Sequence, residues 1–240
     1  YLKMKLEGIK PNNQVKHLVI DEMQDYSPVQ YRVLSRLYPC KKTILGDINQ
    51  SVNPFSSSNL ESIEKIFPDA AAMTMLKSYR STYEITNFTK RISQNFDVEP
   101  LERYGEEPKV IQCQDIDAEV NEIKKRITDF KNSENNSLGI ICKTQKQADR
   151  FNEKLKDDFK IKLLNDGSAD FGTGIVITTA YLAKGLEFDW VIVPQCTNKN
   201  YNSDTDKQML YVATTRAMHR LYLTYTGKIC NFLKILSVRS

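Results

Sequence analysis

The sequence predicts an α/β protein built on mainly parallel sheets flanked by helices, and three observations predict it. Short β-branched runs such as "HLVI", "LGIIC", "GIVITT" and "DWVIVPQ" recur along the chain. Segments with apolar residues at helical spacing stand between them. Polar joints, several bearing glycine or proline, separate the two kinds of segment, as βα alternation requires.

Taken in order, "HLVI" reads as a strand and "PVQYRVLSRLY" as the helix after it. Ser27, Pro28 and Gln30 supply that helix with an N-cap, a first-turn proline and a capping-box glutamine. "KTILG" is a second strand, "NLESIEKIF" a helix and "MTML" a third strand, with a domain seam expected between Met75 and Tyr79. "TYEITNFTKRI" is helical, and Ser81 with Glu84 offers a second capping box. The pattern then repeats through "KVIQC", "AEVNEIKKRITDF", "LGIIC", "QADRFNEKLKDDF", "GIVITT", "DWVIVPQ", "KQMLYVATTRA" and "RLYLTYT". Val120, Ile123, Ile127 and Phe130 form one apolar stripe, and Ala148, Phe151, Leu155 and Phe159 another, each cut to cover a sheet face. "KNSENNS" is a surface loop. The glycine-rich "NDGSADFGTG" lacks the lysine and following helix of a phosphate cradle, so it is expected to be a plain connection.

A length of 240 residues suits one large or two modest domains. With 40% hydrophobic and 27% charged residues the chain is expected to fold as a soluble globular protein. It holds no apolar run near the ~18 residues that a bilayer span needs, so no membrane partner and a cytoplasmic location are expected. The five cysteines form no C-x-x-C pair and read as buried thiols. A net charge of +4 is too mild to decide for or against a nucleic-acid partner. His17 and His219 lack partners at metal-ligand spacing, Trp190 is expected to pack between layers, and Lys41, Lys42, Lys124, Lys125 and Arg126 read as solvated faces.

In open parallel sheets, functional side chains collect where strands end and loops leave the sheet. Asp21 and Glu22 hold that position after "HLVI", and Asp47 holds it after "TILG". A carboxylate there can hold Mg²⁺, and an adjacent one can orient and deprotonate an attacking water. Equally, the same two residues could cap the following helix.

Further segments follow in a fixed order. "VIDEMQD" resembles the Walker B segment of superfamily 1 helicases, with the D-E-x-Q-D pattern of the UvrD/Rep-like branch. "ILGDINQSV" resembles G-D-x-x-Q-S-I, "LKSYRST" resembles N-Y-R-S, "ITTAYLAKGLEFD" resembles T-x-H-x-x-K-G-L-E-F, and "MLYVATTRA" resembles L-Y-V-A-x-T-R-A. Within the branch, "IKPNNQVKHLVIDEMQDYSPVQY" and "CKKTILGDINQSVNP" are most similar to HelD-type proteins, helicase-like ATPases associated with bacterial RNA polymerase.

The resemblance implies RecA-like sheets of the P-loop NTPase class and an enzyme that hydrolyses ATP with Mg²⁺. It implies that Asp21 organises the metal, Glu22 acts as general base, and Gln50, Arg80 and Arg216 contact the terminal phosphate. Arginine suits the last task because its fork pairs phosphate oxygens bidentately. Glu187 would accept from the ribose hydroxyl, with Lys184 and Gly185 in a tight turn beside it. Asn53, Phe55 and Thr179 fall at nucleic-acid positions. DNA, and through the HelD likeness RNA polymerase, are the implied partners.

The chain departs from the family pattern at several points. A Walker A motif, G-x-x-x-x-G-K-[ST], is missing; "TYTGKICN" comes nearest and has the wrong spacing. The expectation is therefore that residues 1–75 are the C-terminal portion of a first motor domain and 76–240 a second motor domain. An upstream part of the same protein would carry the P-loop, and the fragment alone would be inactive. The alternative is a naturally separate, non-catalytic module that binds nucleic acid or polymerase. Asn53 and Ser56 replace an aromatic and an arginine of the DNA-contacting loop, and Tyr181 replaces the motif histidine. Between Lys143 and Thr178 there is room only for a helix, a strand and a loop, which excludes the large accessory domain of UvrD and Rep at that point.

Overall fold

The computed structural model describes residues 2–47, 50, 60–165 and 173–234. The chain divides into two compact units, Tyr1–Thr74 and Met75–Ser240.

The first unit holds α1 (Leu2–Glu7), β1 (His17–Ile20), a 3₁₀ turn (Met23–Asp25), α2 (Pro28–Leu37), β2 (Lys41–Ile44) and α3 (Leu60–Glu64). β1 and β2 run parallel, with Ile20 opposite Ile44. The expected capping box starts α2, since Ser27 Oγ accepts the Gln30 N–H and the Gln30 side chain accepts the Ser27 N–H. Because Pro28 carries no N–H, that box satisfies two of the three N–H groups this helix start leaves orphaned. Ile20, Tyr31 and Ile63 form a small core. Tyr31 is fully buried under the edge of Phe67, and its hydroxyl donates to Met23 O at 2.8 Å. Burial, then the nearby Tyr26 and Asp25, pushes its pKa up to about 12.

The second unit opens with a two-stranded parallel ribbon, β3 (Lys77–Ser78) beside β4 (Glu99–Pro100), spanned by α4 (Tyr83–Ser93). The strand expected over 73–76 falls instead at Lys77–Ser78, because Glu99 and Pro100 supply the pairing partner there. There follow β5 (Lys109–Cys113), α5 (Ile116–Lys131), β6 (Ser137–Cys142), α6 (Gln145–Leu155), β7 (Ile161–Leu163), β8 (Gly174–Thr179), β9 (Phe188–Val193), α7 (Asp204–Thr214), β10 (Ala217–Thr226) and α8 (Asn231–Lys234). The main sheet is six-stranded and wholly parallel, in the order β5-β10-β9-β6-β8-β7, with helices on both faces: a RecA-like α/β architecture.

Because side chains alternate along a strand, each central strand feeds two cores. Trp190, Ile192, Tyr222 and Ile140 face α5 and α6, whose predicted stripes meet them. Val191, Val193, Leu223 and Ile141 face α4, α7 and α8. Phe159 packs on the first core from the turn after α6 rather than from the helix itself. Trp190 is fully buried, its indole N–H donates to Asn135 Oδ1 at 2.6 Å, and the Arg220 guanidinium lies 4.4 Å from its ring centroid. The "KNSENNS" segment therefore holds a core anchor as well as a turn. Gly139 admits no side chain, since a Cβ there would lie 2.6 Å from the Phe188 ring.

Two expectations change at α4 and in the basic clusters. Thr82, not Ser81, is the N-cap of α4, and no side chain caps it. Ser81 Oγ donates to Ala217 O at 2.6 Å, and Glu84 accepts the Gly105 N–H at 2.8 Å. Of the cations read as solvated, Lys42 donates to Tyr38 O and Cys40 O, while Arg126 pairs with Glu122 and lies 5.0 Å from the Tyr222 ring centroid. Cys113, Cys142, Cys196 and Cys230 are buried free thiols, and Cys40 is half-buried. Among the described residues no helix is long and apolar enough to cross a membrane.

Glu119, in the first turn of α5, is fully buried at the carboxyl edge of the sheet. One oxygen accepts from Thr224 Oγ1 (2.6 Å) and the Gln195 N–H (2.8 Å), while Oε2 has no hydrogen-bond partner. Burial outweighs these two bonds and raises its pKa above the ordinary 4.5. A raised carboxyl favours folding fully below its unfolded pKa, and that contribution is lost as pH rises through the folded value. Denaturant titrations should therefore show stability falling as pH climbs above about 4.5, and Glu119→Gln should flatten the fall. An unchanged slope in the variant would place its origin elsewhere.

Candidate nucleotide and nucleic-acid site

In the first unit, β1 and β2 end side by side, so Asp21 and Asp47 leave the sheet at the same edge. Backbone bonds tie the two loops, Leu45 N–H to Ile20 O and Met23 N–H to Leu45 O, both 2.8 Å. Glu22 sits at φ 53°, ψ 51°, a left-handed conformation that costs a non-glycine residue about 1–2 kcal/mol. Strain of this kind, held by surrounding bonds, is a mark of functional loops. The sharp reversal turns the Glu22 carboxylate onto Gln24, whose Nε2 donates to Glu22 Oε2 at 2.5 Å.

Gln24, which sequence reasoning quoted but gave no role, holds this loop together. It is almost fully buried; its Oε1 accepts the Asp47 N–H at 3.1 Å while its amide N–H holds Glu22. Gln50 in turn donates to Asp47 Oδ2 at 3.0 Å. A hydrogen-bonded chain thus runs Glu22–Gln24–Asp47–Gln50. Gly46 permits it, because a Cβ there would stand 2.4 Å from Gln24 Oε1 and 2.6 Å from the Met23 nitrogen. Asp21 is exposed, and its Oδ1 accepts the Glu22 N–H at 2.8 Å. Its outward carboxylate suits Mg²⁺, which takes one or two protein carboxylates and fills its octahedron with water and nucleotide phosphates. The alternative of helix capping is not what these carboxylates do: the N-cap of α2 is Ser27.

In the second unit, Arg80, Glu187 and Arg216 gather at the amino edge of the main sheet. Ser81 and Thr82 are bonded to Ala217 O and Met218 O at the start of β10, and the Phe188 N–H donates to Arg216 O at 2.9 Å. Arg80 Nε donates to Glu187 Oε1 at 2.5 Å, so the predicted phosphate and ribose ligands pair with each other. Arg103 braces the cluster by donating to Arg80 O and Met218 O. Arg216 lies beyond the end of α7 and is 1% exposed. Its Nε, Nη1 and Nη2 donate to Val212 O (3.2 Å), Leu186 O (3.4 Å) and Thr215 Oγ1 (3.3 Å). Lys184 and Gly185 lie in the turns that lead to Glu187, with Gly185 at φ 77° as a tight turn needs.

Thr179 is not part of that gathering. It ends β8 at the opposite, carboxyl edge, nearly buried, with its hydroxyl accepting the Leu182 N–H at 3.3 Å. The residues expected to meet nucleotide and Thr179, expected to meet nucleic acid, therefore sit at the two ends of one sheet, joined by the segment 180–187. Asn53 and Phe55 lie outside the described residues, as does most of "NDGSADFGTG".

Comparison with known proteins bears on this arrangement. Residues 9–71 match the UvrD/REP helicase N-terminal domain, and residues 174–224 match the UvrD-like helicase C-terminal domain. The protein named "Putative ATP-dependent DNA helicase R568" of Acanthamoeba polyphaga mimivirus is 27% identical over 91% of this chain and 36% of its own length. ATP-dependent DNA helicase Rep of Buchnera aphidicola is 25% identical over 65% of this chain and 25% of its length. This chain thus spans about a third or less of these relatives. The crystal structure of the C-terminal domain of a possible DNA helicase from Lactobacillus plantarum WCFS1 superposes with a TM-score of 0.56 at 30% identity, covering 65% of this chain and 92% of that one. Two ordered family matches, one on each unit, and a solved domain of the same fold lead to one conclusion: the chain belongs to the UvrD/Rep-like superfamily 1 helicases.

Proposed function

We propose that this chain is motor machinery of a HelD-type, ATP-dependent DNA helicase or translocase. A longer form of the protein would supply the P-loop. The observation that carries the reading is the hydrogen-bonded chain from Glu22 through Gln24 and Asp47 to Gln50, beside the outward Asp21 carboxylate. Bound Mg²⁺ would neutralise phosphate charge, and Asp21 would help hold it. Glu22, with one oxygen held by Gln24, would take a proton from an attacking water. Gln50 would report the terminal phosphate to the Asp47 loop. Arg80 and Arg216 would supply cationic donors to the charge that develops on the transferring phosphoryl group. Arg80 would have to exchange its Glu187 partner for that phosphate, freeing the Glu187 carboxylate for a ribose hydroxyl. The division between Thr74 and Met75 supports residues 1–75 as the end of a first motor domain and 76–240 as a second.

The output is DNA strand separation or remodelling of RNA polymerase in the cytoplasm. The short connection from α6 to β8, which leaves no room for an accessory domain, favours remodelling. A second reading, a non-catalytic nucleic-acid or polymerase binding module, rests on the absence of a Walker A motif from these 240 residues. Both are tested by assaying the longer protein for single-strand-stimulated ATPase, for unwinding of a forked duplex, and for capture of RNA polymerase. ATPase with polymerase capture is the expected result. Strong unwinding without capture overturns the HelD reading, and a native gene that begins at Tyr1 without a P-loop overturns the motor reading.

A further inference from the structure

Arg103 lies in the loop that follows β4, outside the motifs that mark the site. That loop straps the start of α4. The Leu101 N–H donates to Ser78 O at 3.3 Å, the Tyr83 N–H to Arg103 O at 2.8 Å, and the Gly105 N–H to Glu84 Oε2 at 2.8 Å. The strap replaces the missing side-chain cap, since Tyr83 is the first residue of α4 and its N–H has no partner within the helix. Gly105 allows the close approach, because a Cβ there would stand 2.7 Å from Thr82 Cγ2. Main-chain groups and Glu84 thus hold the loop, and the Arg103 side chain is left for another task.

Its Nη2 donates both to Arg80 O and, at 3.2 Å, to Met218 O. The Thr82 N–H donates to the same Met218 carbonyl at 3.2 Å, and Ser81 Oγ to Ala217 O at 2.6 Å. Arg80, Ser81 and Thr82 are therefore fastened to the first two residues of β10, immediately after Arg216. Both acceptors of the Arg103 guanidinium are carbonyls, which leave its charge in place, and its Nε is buried without a hydrogen-bond partner among the described residues. A buried donor left unmet costs stability, so stability alone is poorly served by a cation here.

The Arg80 side chain is 35% exposed, with its Nε on Glu187 Oε1. To meet a phosphate it must leave Glu187 and swing. A long side chain that swings arrives at one place only if its main chain is fixed, and a misplacement of about 1 Å can cost 10²-fold in rate. We infer that Arg103 is a positioning residue for Arg80: by bracketing Arg80 O and Met218 O it fixes the main chain from which the Arg80 guanidinium reaches the transferring phosphoryl group. The inference rests on the phosphate role proposed above for Arg80 and adds a residue to that site. Arg103 acts through Arg80, not on the phosphate.

The test is a double-mutant cycle in the longer protein that carries a P-loop, with ATP turnover measured by phosphate release. Arg103→Met keeps most of the volume of the stem and removes every donor. It should lower kcat by about 10- to 10²-fold while nucleotide KM stays within a few-fold of the parent, because the contact it misplaces is made in the transition state. On an Arg80→Ala background the same substitution should cost less than about twofold, since no guanidinium remains to be misplaced. Arg103→Lys, which keeps one charged donor group, should restore part of the loss. Circular dichroism melts set the assay temperature below the unfolding of every variant, and Arg103→Gln takes the place of Arg103→Met in the cycle if that variant does not fold. Turnover within about twofold of the parent overturns the inference. So does an equal loss on both backgrounds, the mark of a structural fastener. Arg80→Ala, measured alone, judges the phosphate role separately: parental turnover there overturns that role and this inference together, whereas low turnover there with an additive cycle overturns this inference alone.

Discussion

Glu22→Gln, placed in the longer protein that carries a P-loop, is expected to lower steady-state ATP turnover by about 10²- to 10⁴-fold, the ordinary worth of a positioned general base. The substitution is close to isosteric, and the carbonyl at position 22 can still accept from Gln24 Nε2, so the left-handed turn and the Asp47 loop should stand unchanged. What is removed is the ability to take a proton. Nucleotide KM should therefore stay within a few-fold of the parent while kcat falls, because an interaction made only in the transition state is lost. Gln24→Ala makes the complementary case. It leaves the Glu22 carboxylate in place but frees its orientation and strips the Asp47 N–H of its acceptor, so a smaller loss with a shifted pH profile is expected. Normal turnover in Glu22→Gln, measured by phosphate release at saturating ATP, would remove Glu22 from the mechanism.

What the sequence made legible follows from which forces are local. Periodicity is local: the stripes Val120–Phe130 and Ala148–Leu155 face the sheet, and the Ser27 capping box closes within three residues. Ser81 and Glu84 had the same spacing and failed. Ser81 is drawn to Ala217 O, 136 residues away in sequence, and Glu84 to the Gly105 amide, partners that no local pattern contains. The site divides in the same way. Motif order placed Asp21, Glu22 and Gln50 near one loop pair, since each ends or follows a strand. It could not show that Gln24 joins them, because a buried amide bridging two loops depends on the parallel register of β1 and β2. Gly46 carried a signal that could have been read: a glycine at the end of a strand run often marks a place where another backbone approaches closely. Nor could motif order show that Arg80 and Glu187, 107 residues apart, hold each other's charge.

Arg216→Ala is expected to act twice, and separating the two effects tests what the residue is for. A guanidinium carries five N–H donors, and here three are placed on Val212 O, Leu186 O and Thr215 Oγ1 within one unit. The residue is thus a fastener between the end of α7, the segment before β9 and the start of β10. Truncation leaves buried carbonyls short of partners and opens a cavity, at a cost of about 3 kcal/mol. For a chain of this size that lowers the melting temperature by roughly 6–12 °C, read by calorimetry on the 240-residue chain. A fastener alone would lose activity only through unfolding. A residue that also meets the transferring phosphoryl group would lose about 10³- to 10⁵-fold in turnover at temperatures where the variant remains folded. Arg216→Lys sharpens the contrast: it keeps the charge but cannot span three acceptors or fork onto phosphate. The expected result is a melting point between parent and Ala variant, with turnover in the longer protein nearly as low as for Ala. Turnover that tracks the melting temperature across the three proteins would reduce Arg216 to a structural role. Turnover that collapses in both variants below either melting point gives it the phosphate, and the same bonds that bury it in this structure then tie phosphate contact to movement of α7 and β10.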